Sequence, residues 1–359
     1  MGELIFIGLG LYDELGMSLR GQAEARTCDF VFAEFYTSAM PGLNLENLTR
    51  TIRKPVTVLS RRDLEEDAEN KILSKAMSGK VAILVAGDPM VATTHVDLRL
   101  RAKKSGVTTR IVHGASVASA AAGATGLQSY KFGRTVTVPA SPSKDLPESV
   151  YAALKVNFEA GLHSLILLEI DAEGGRQVTI RQAIERLLAY SARTAGRLIT
   201  RETLLVGLAR LEAPDMIVRA SIAVDLMGID FGRPPHCLIL PSRLHFVEAE
   251  ALQAFCGAPR GLVGANELNG FDEDAASRAR KYITALRSAL LKSKPRPVDT
   301  SVTAAGIQRV DDAIERYLRD AEHFLNAGRP ATSLASVAYA EGLLDALTFL
   351  ELTTNEVSQ

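Results

Sequence analysis

The sequence predicts two α/β domains followed by an all-α domain, and three observations carry that reading. Short β-branched and aromatic runs alternate with longer amphipathic segments up to about Val112. The alternation resumes after a proline-rich stretch and continues to about Pro259, and from roughly Asn266 onward strand-type runs cease. The expected domains are 1–113, 114–262 and 266–359. The 359 residues are 47% hydrophobic with mean hydropathy +0.08, enough apolar material for several cores.

In the first region "LIFIG", "DFVFAEF" and "VAILVAG" read as strands bounded by turn residues, while "DLEEDAENKILSKAMSGK" and "HVDLRLRAKKSG" read as helices closed by glycine. That is the rhythm of βαβ units. Strands apolar on both faces belong to parallel sheets covered by helices, which place ligands beyond the strands' carboxyl ends. In the second region "HSLILLEI", "ETLLVGLARL" and "PPHCLILP" read as strands, with "TIRQAIERLLAYSAR" as a helix between the first two. In the third, Ile307, Val310, Ile314, Leu318, Ala321 and Leu325 recur at helical spacing, and "NAGRPATS" separates that helix from "LASVAYAEGLLDALTFLEL". The basic stretch at 278–296 reads as the solvated face of an amphipathic helix, with RNA contact as the alternative.

Lys+Arg 41 against Asp+Glu 42 leaves a formal charge of -1, so no global field points to nucleic acid or an anionic membrane. Cys28, Cys237 and Cys256 lack the close spacing of a structural zinc site and read as buried thiols in a reducing compartment, with no metal expected. Glu3 stands where a signal peptide would carry basic residues, and no apolar run approaches ~18 residues, so a cytoplasmic protein without membrane spans is expected.

Gly8 and Gly10 follow the first strand, but Asp13 occupies the third glycine position of G-x-G-x-x-G, so a nicotinamide-dinucleotide fingerprint fails. No Walker sequence, zinc-protease motif or nucleophile elbow occurs. The first strand end reads either as close backbone approach to a ligand or as a tight βα turn. In "AGDPMVATTH", Gly87 suits a positive φ, Pro89 fixes the turn, and Asp88 is able to accept hydrogen bonds from a ribose or amine; an Asx-turn explains Asp88 equally well.

Taken in order, "IGLGLYDE", "VFAEFYTS", "GDPMVATTH", "GASVASA", "YKFGRT", "GLHSLILLEI" and "DFGRPPHCLILPSRLHFVEAE" resemble the diphthine synthases, within the tetrapyrrole-methylase-like class of S-adenosylmethionine methyltransferases. The resemblance covers about residues 1 to 260. It implies two α/β domains of the tetrapyrrole-methylase type with S-adenosyl-L-methionine in the cleft between them, a homodimer, and methylation of the amino group of 2-(3-amino-3-carboxypropyl)histidine on translation elongation factor 2. Carried over by position, it implies cofactor contacts at Leu11, Asp88, Val91, Ser116, Val117, Leu168, Leu211 and His236, several of them through main chain. Two positions depart from the class: Ala86 stands where proline is common, and Leu211 where a smaller residue is usual. The tail resembles a small archaeal helical domain of unknown function.

Methyl transfer from a sulfonium needs no protein nucleophile, metal or oxyanion hole, so no catalytic residue is assigned, and the protein's task is alignment and exclusion of water. Thr93, Thr94 and His95 are expected to face the cleft and to orient the aminocarboxypropyl group or take its proton. The alternative has Thr93 capping the next helix and His95 as a half-exposed first-turn residue. Glu34 and Tyr36 are substrate-side candidates on the resemblance alone, and His236 apart from it reads as a hydrogen-bonded core histidine. Two other functions remain open: a tetrapyrrole (precorrin-type) methyltransferase, and a non-catalytic nucleotide-binding scaffold acting through its helical tail.

Overall fold

A computed structural model of the chain describes residues 2–36, 38–141, 145–171, 175–194, 198–259, 271–295, 304–327 and 329–355. The chain divides into two compact units, Met1–Asn266 and Glu267–Gln359. The junction expected at 262–266 lies outside the described residues, as does Thr37 of "YTS".

The first unit opens with β1 (Glu3–Gly8), β2 (Phe30–Glu34), β3 (Val56–Leu59), β4 (Lys80–Val85) and β5 (Thr108–Val112), which form one sheet in the order β3-β2-β4-β1-β5. Every pairing is parallel. Neighbouring residues of β1 feed opposite cores: Leu4 and Phe6 pack with Ile72 and Leu98, while Ile5 and Ile7 pack with Leu48 and Ile52. Helices on both faces therefore explain why β1 and β4 read as unbroken apolar runs. The segment 63–80, expected as one helix, is helical only in pieces: Arg61–Glu65, a π-type turn at Glu69–Leu73, and Ser74–Ser78. A reciprocal cap between Ser60 and Asp63 starts the first piece early, and the Asp67 amide then bonds back to the Arg62 carbonyl, taking up an extra residue.

A second sheet is built from β6 (Val136–Val138), β7 (Ser164–Leu168), β10 (Leu204–Ala209), β11 (Ile217–Ile222) and β12 (His236–Leu240), with β8 (Ile170–Asp171) and β9 (Arg176–Gln177) as a separate two-stranded ribbon. Its order is β11-β10-β12-β7-β6; only β6 and β7 run parallel, the remaining pairs being antiparallel. The helix Ile180–Ala192 begins at Thr179, whose side chain and that of Gln182 cap each other's amides.

Behind this sheet lies a buried polar network centred on Glu248. Its Oε1 accepts from the Gln128 amide and from His163 Nε2, both at 2.9 Å, while Oε2 faces Lys131 Nζ and the His245 amide. The Ser242 amide donates to His163 Nδ1, so that nitrogen bears no hydrogen and Nε2 must donate to Glu248. Burial alone would raise the Glu248 carboxyl, but Lys131 and the other donors hold it down at about 2. The folded value lies below the ordinary 4.5, so the network stabilises the fold fully above about pH 4.5 and loses that contribution as pH falls toward 2. Burial lowers His163, so below about 6.5 the unfolded ring takes up a proton that the folded one does not, which adds to the loss in acid. Denaturation followed between pH 4.5 and 2 should therefore show a loss of stability on the order of 3 kcal/mol from Glu248, a share that Glu248→Gln removes at the cost of a lower melting temperature at neutral pH. An identical acid profile in that variant would contradict the assignment.

The second unit packs helices Phe271–Lys292, Ala304–Asn326 and Pro330–Phe349 around Ile283, Leu286, Ile314, Leu318, Val337 and Leu344. Of the residues expected on one stripe, Ile307, Ile314, Leu318 and Ala321 are buried, and Val310 and Leu325 pack partly buried against them. Strands are not wholly absent: β13 (Ser293–Pro295) pairs antiparallel with β14 (Thr353–Asn355). In the basic stretch, Ala279, Ile283 and Leu286 are buried whereas Arg280, Lys281 and Arg287 are exposed, Arg287 pairing with Glu322 at 2.8 Å. That is the solvated face of an amphipathic helix. Among the described residues, no helix is long and apolar enough to cross a membrane.

Candidate functional site

The carboxyl ends of β1, β4 and β5 meet backbone against backbone. A methyl group at Gly8 would lie 2.5 Å from the Gly114 amide and 2.6 Å from the Gly87 carbonyl, and one at Gly114 would meet the same carbonyl at 2.5 Å. Gly87 adopts φ 73°, and its amide donates to the Gly10 carbonyl at 2.7 Å. The close approach suggested by the glycine-rich strand end is thus made by other strand ends, which seat three loops together.

Beyond them opens a cavity of about 350 Å³ between the two halves of the first unit. The first half contributes Gly10 and Leu11, Tyr36, Ser38 to Met40, Arg61 and Glu65, and the loop Val91 to Thr94; Ser116 and Val117 open the following helix; the second half contributes Leu168, Glu169, Leu208, Arg210, Leu211, His236 and Cys237. Among the described residues, no group of three His, Cys, Asp or Glu side chains is arranged to hold a metal.

Of the residues singled out in the sequence, Leu11, Val91, Ser116, Val117, Leu168, Leu211, His236, Tyr36, Thr93 and Thr94 all line this cavity, but Asp88, Glu34 and His95 do not. Asp88 Oδ1 accepts from the Met90 amide at 2.9 Å, and Oδ2 accepts from His113 Nδ1 at 2.7 Å and the Gly114 amide at 3.3 Å. The Asx-turn reading is the one realised, and Asp88 ties the β4 loop to the β5 loop. His95 is only 1% exposed, neither facing the cleft nor half-exposed. Its Nδ1 donates to the Pro89 carbonyl at 3.0 Å, and its Nε2 lies 3.6 Å from Glu34 Oε1, with Glu34 itself fully buried. Thr93 is not the cap of the next helix; its hydroxyl donates to the same Pro89 carbonyl at 2.7 Å, and Thr94 occupies the cap position without a side-chain bond to the helix. The wall 91–94 is therefore braced from behind by the buried pair.

His236 is 7% exposed and differs from the expected hydrogen-bonded core histidine. Its ring faces the carbonyls of Phe231, Gly232 and Arg233, yet neither nitrogen reaches hydrogen-bond geometry with any described residue. Burial, reinforced by Arg210, lowers its pKa, so the ring is neutral at physiological pH. Burial together with Glu34 pushes the Tyr36 phenol up to about 12, and burial pushes the Cys237 thiol to about 12, leaving both uncharged. The three cysteines are free and buried.

Sequence reasoning passed over Arg210, Arg61 and Glu65. Arg210 adopts φ 50° and is buried; its guanidinium grips Asp215 and the carbonyls of Phe231 and Arg233, fixing the loop that delivers His236. Its only sequence signal is a charge at the end of the apolar run "LLVGLAR".

Residues 3–202 match the family described as Tetrapyrrole (Corrin/Porphyrin) Methylases, and residues 281–353 match a family described as Protein of unknown function (DUF357). The diphthine synthase of Methanocella arvoryzae is 46% identical over 259 residues, covering 72% of this chain and 100% of the relative. That of Methanosarcina barkeri is 44% identical over 265 residues, covering 72% and 98%. Among solved structures, a crystal structure of diphthine synthase superposes with TM-score 0.66 at 36% identity, covering 72% of this chain and 98% of the other. A putative diphthine synthase from Entamoeba histolytica gives TM-score 0.64 at 34% identity, with 72% and 100% covered.

Proposed function

The chain belongs to the diphthine synthases within the tetrapyrrole methylase family, and on that premise we propose that it transfers methyl groups from S-adenosyl-L-methionine to the amino group of 2-(3-amino-3-carboxypropyl)histidine on translation elongation factor 2. At the coarser level it is a methyltransferase of diphthamide biosynthesis. The observation that carries the reading is the cover of whole diphthine synthases by this chain at 42–46% identity.

The cavity suits the donor. Its volume falls in the ~300–1,000 Å³ range of small-molecule sites, its apolar side chains include Leu11, Val117, Leu168 and Leu211, and the two unpartnered nitrogens of His236 offer one donor and one acceptor. These residues, with Ser116, Val91 and the main chain at Gly10 and Gly87, would hold it, while Asp88 acts by fixing the loops. When bound, the donor supplies an already activated sulfonium methyl group.

The chain's own contribution is placement. Tyr36, Thr93 and Thr94 line the same cavity and would orient an amine there, Thr93 with its hydroxyl proton already given to the Pro89 carbonyl. Holding the two reactants together can supply roughly 7–11 kcal/mol of the barrier, and Leu11, Val117, Leu168 and Leu211 would limit water around the donor. Glu34 and His95 hold this wall from behind, outside the reacting volume. We further propose a cytoplasmic homodimer; exposed apolar side chains such as Leu15, Leu19, Phe246 and Phe255 supply surface for it, and sedimentation would measure it.

The test supplies methyl-labelled donor with elongation factor 2 carrying the aminocarboxypropyl-histidine, and with the unmodified factor. Label is expected on the modified factor alone, with the methyl count read by mass spectrometry. No label on it, despite donor binding, would refute the proposed acceptor.

A further inference from the structure

The cavity lining extends beyond the residues expected to hold the methyl donor and includes Tyr36, Met40, Arg61 and Glu65. Arg61 and Glu65 set a cation and an anion side by side. Arg61 Nε donates to both Glu65 oxygens at 3.1 Å, within the short helix Arg61–Glu65. Their side chains are 58% and 37% exposed, so the pair is reached by water. The other lining cation, Arg210, is buried and committed to Asp215 and main-chain carbonyls. Arg61 is thus the lining guanidinium that stands toward solvent.

We propose that the Arg61–Glu65 pair reads the α-amino-acid end of the acceptor side chain, Arg61 taking its carboxylate and Glu65 accepting a hydrogen bond from its amino group, which reacts as the neutral amine. This rests on the acceptor proposed above. The aminocarboxypropyl group ends in a carboxylate and an amino group on one carbon; a guanidinium complements the first in charge, and a carboxylate beside it accepts a hydrogen bond from the second. The planar guanidinium matches a carboxylate in two-point contact, which lysine cannot reproduce. The methyl donor also ends in an amino acid, so the test must separate the two carboxylates.

Wild type is first assayed on the modified factor; absence of labelling there overturns the acceptor and this proposal together, before any variant is made. Next come Arg61→Ala, Arg61→Lys and the charge-swapped Arg61→Glu/Glu65→Arg, each measured for KM toward the modified factor, S-adenosylhomocysteine affinity and melting temperature. We expect Arg61→Ala to raise KM roughly tenfold or more, with S-adenosylhomocysteine affinity and melting unchanged. Arg61→Lys should retain part of the function, and the swap should restore none. An unchanged KM overturns the proposal. Equal losses of S-adenosylhomocysteine affinity and activity would assign Arg61 to the donor's carboxylate, and recovery in the swap would make the pair purely structural; either result overturns it as well.

Discussion

Replacing His236 with leucine is expected to weaken binding of S-adenosylhomocysteine roughly 10–100-fold while leaving the ligand-free protein as stable as before, or slightly more so. The asymmetry follows from the ring's surroundings. A buried polar group without a partner costs the fold about 1–3 kcal/mol, and His236 has two such nitrogens on the cavity wall. Leucine removes that cost in the empty protein and removes the hydrogen bonds in the occupied one. Titration calorimetry would read the affinity, and melting with and without ligand would read the two stabilities. Because burial lowers the ring's pKa, wild-type affinity should stay flat as pH falls from 8 through 6.5, where an ordinary imidazole would titrate. If the variant bound as tightly as wild type, His236 would be a packing residue and the donor site would have to lie elsewhere.

The same contrast marks what the sequence made legible. Central strands such as β1 and β4 are buried on both faces, so their residues form continuous apolar runs. Edge and outer strands give no such run: β3 reads "VTVL" with two exposed residues, β6 has three residues, and β11 places exposed Arg219 between buried Val218 and Ala220. For the site, the loops were legible because glycine, proline and aspartate mark strand ends. The partnerships were not. Asp88 meets His113, and Glu34 meets His95, only because parallel pairing brings β2, β4 and β5 to a common edge of one sheet. A single side chain therefore suggests two roles, and for Asp88, readable as a ligand contact or a turn, the three side-chain partners show the turn.

Glu34→Ala should cost about 3–5 kcal/mol of stability, lowering the melting temperature by roughly 10 °C, although Glu34 touches neither the cavity nor solvent. Its carboxylate closes a buried pair with His95, whose Nδ1 is already given to the Pro89 carbonyl. Removing one member of such a pair leaves the other desolvated and unopposed, whereas removing both leaves only a packing defect. Glu34→Leu with His95→Phe should accordingly be more stable than Glu34→Ala alone, because His95 already packs against the Phe6 ring at 6.0 Å and a phenyl ring retains that contact. Activity supplies the second reading. If the pair only braces the wall 91–94, His95→Ala assayed below its melting point should keep the wild-type pH dependence of methyl transfer, with its loss appearing as weaker acceptor binding. A rate that instead lost its pH dependence would place His95 in the proton path and refute the bracing role. Chemical denaturation of wild type, Glu34→Ala, His95→Ala and Glu34→Ala/His95→Ala closes a cycle and measures the coupling directly. Coupling near zero would mean that the 3.6 Å approach of Nε2 to Oε1 contributes nothing to holding the cleft wall.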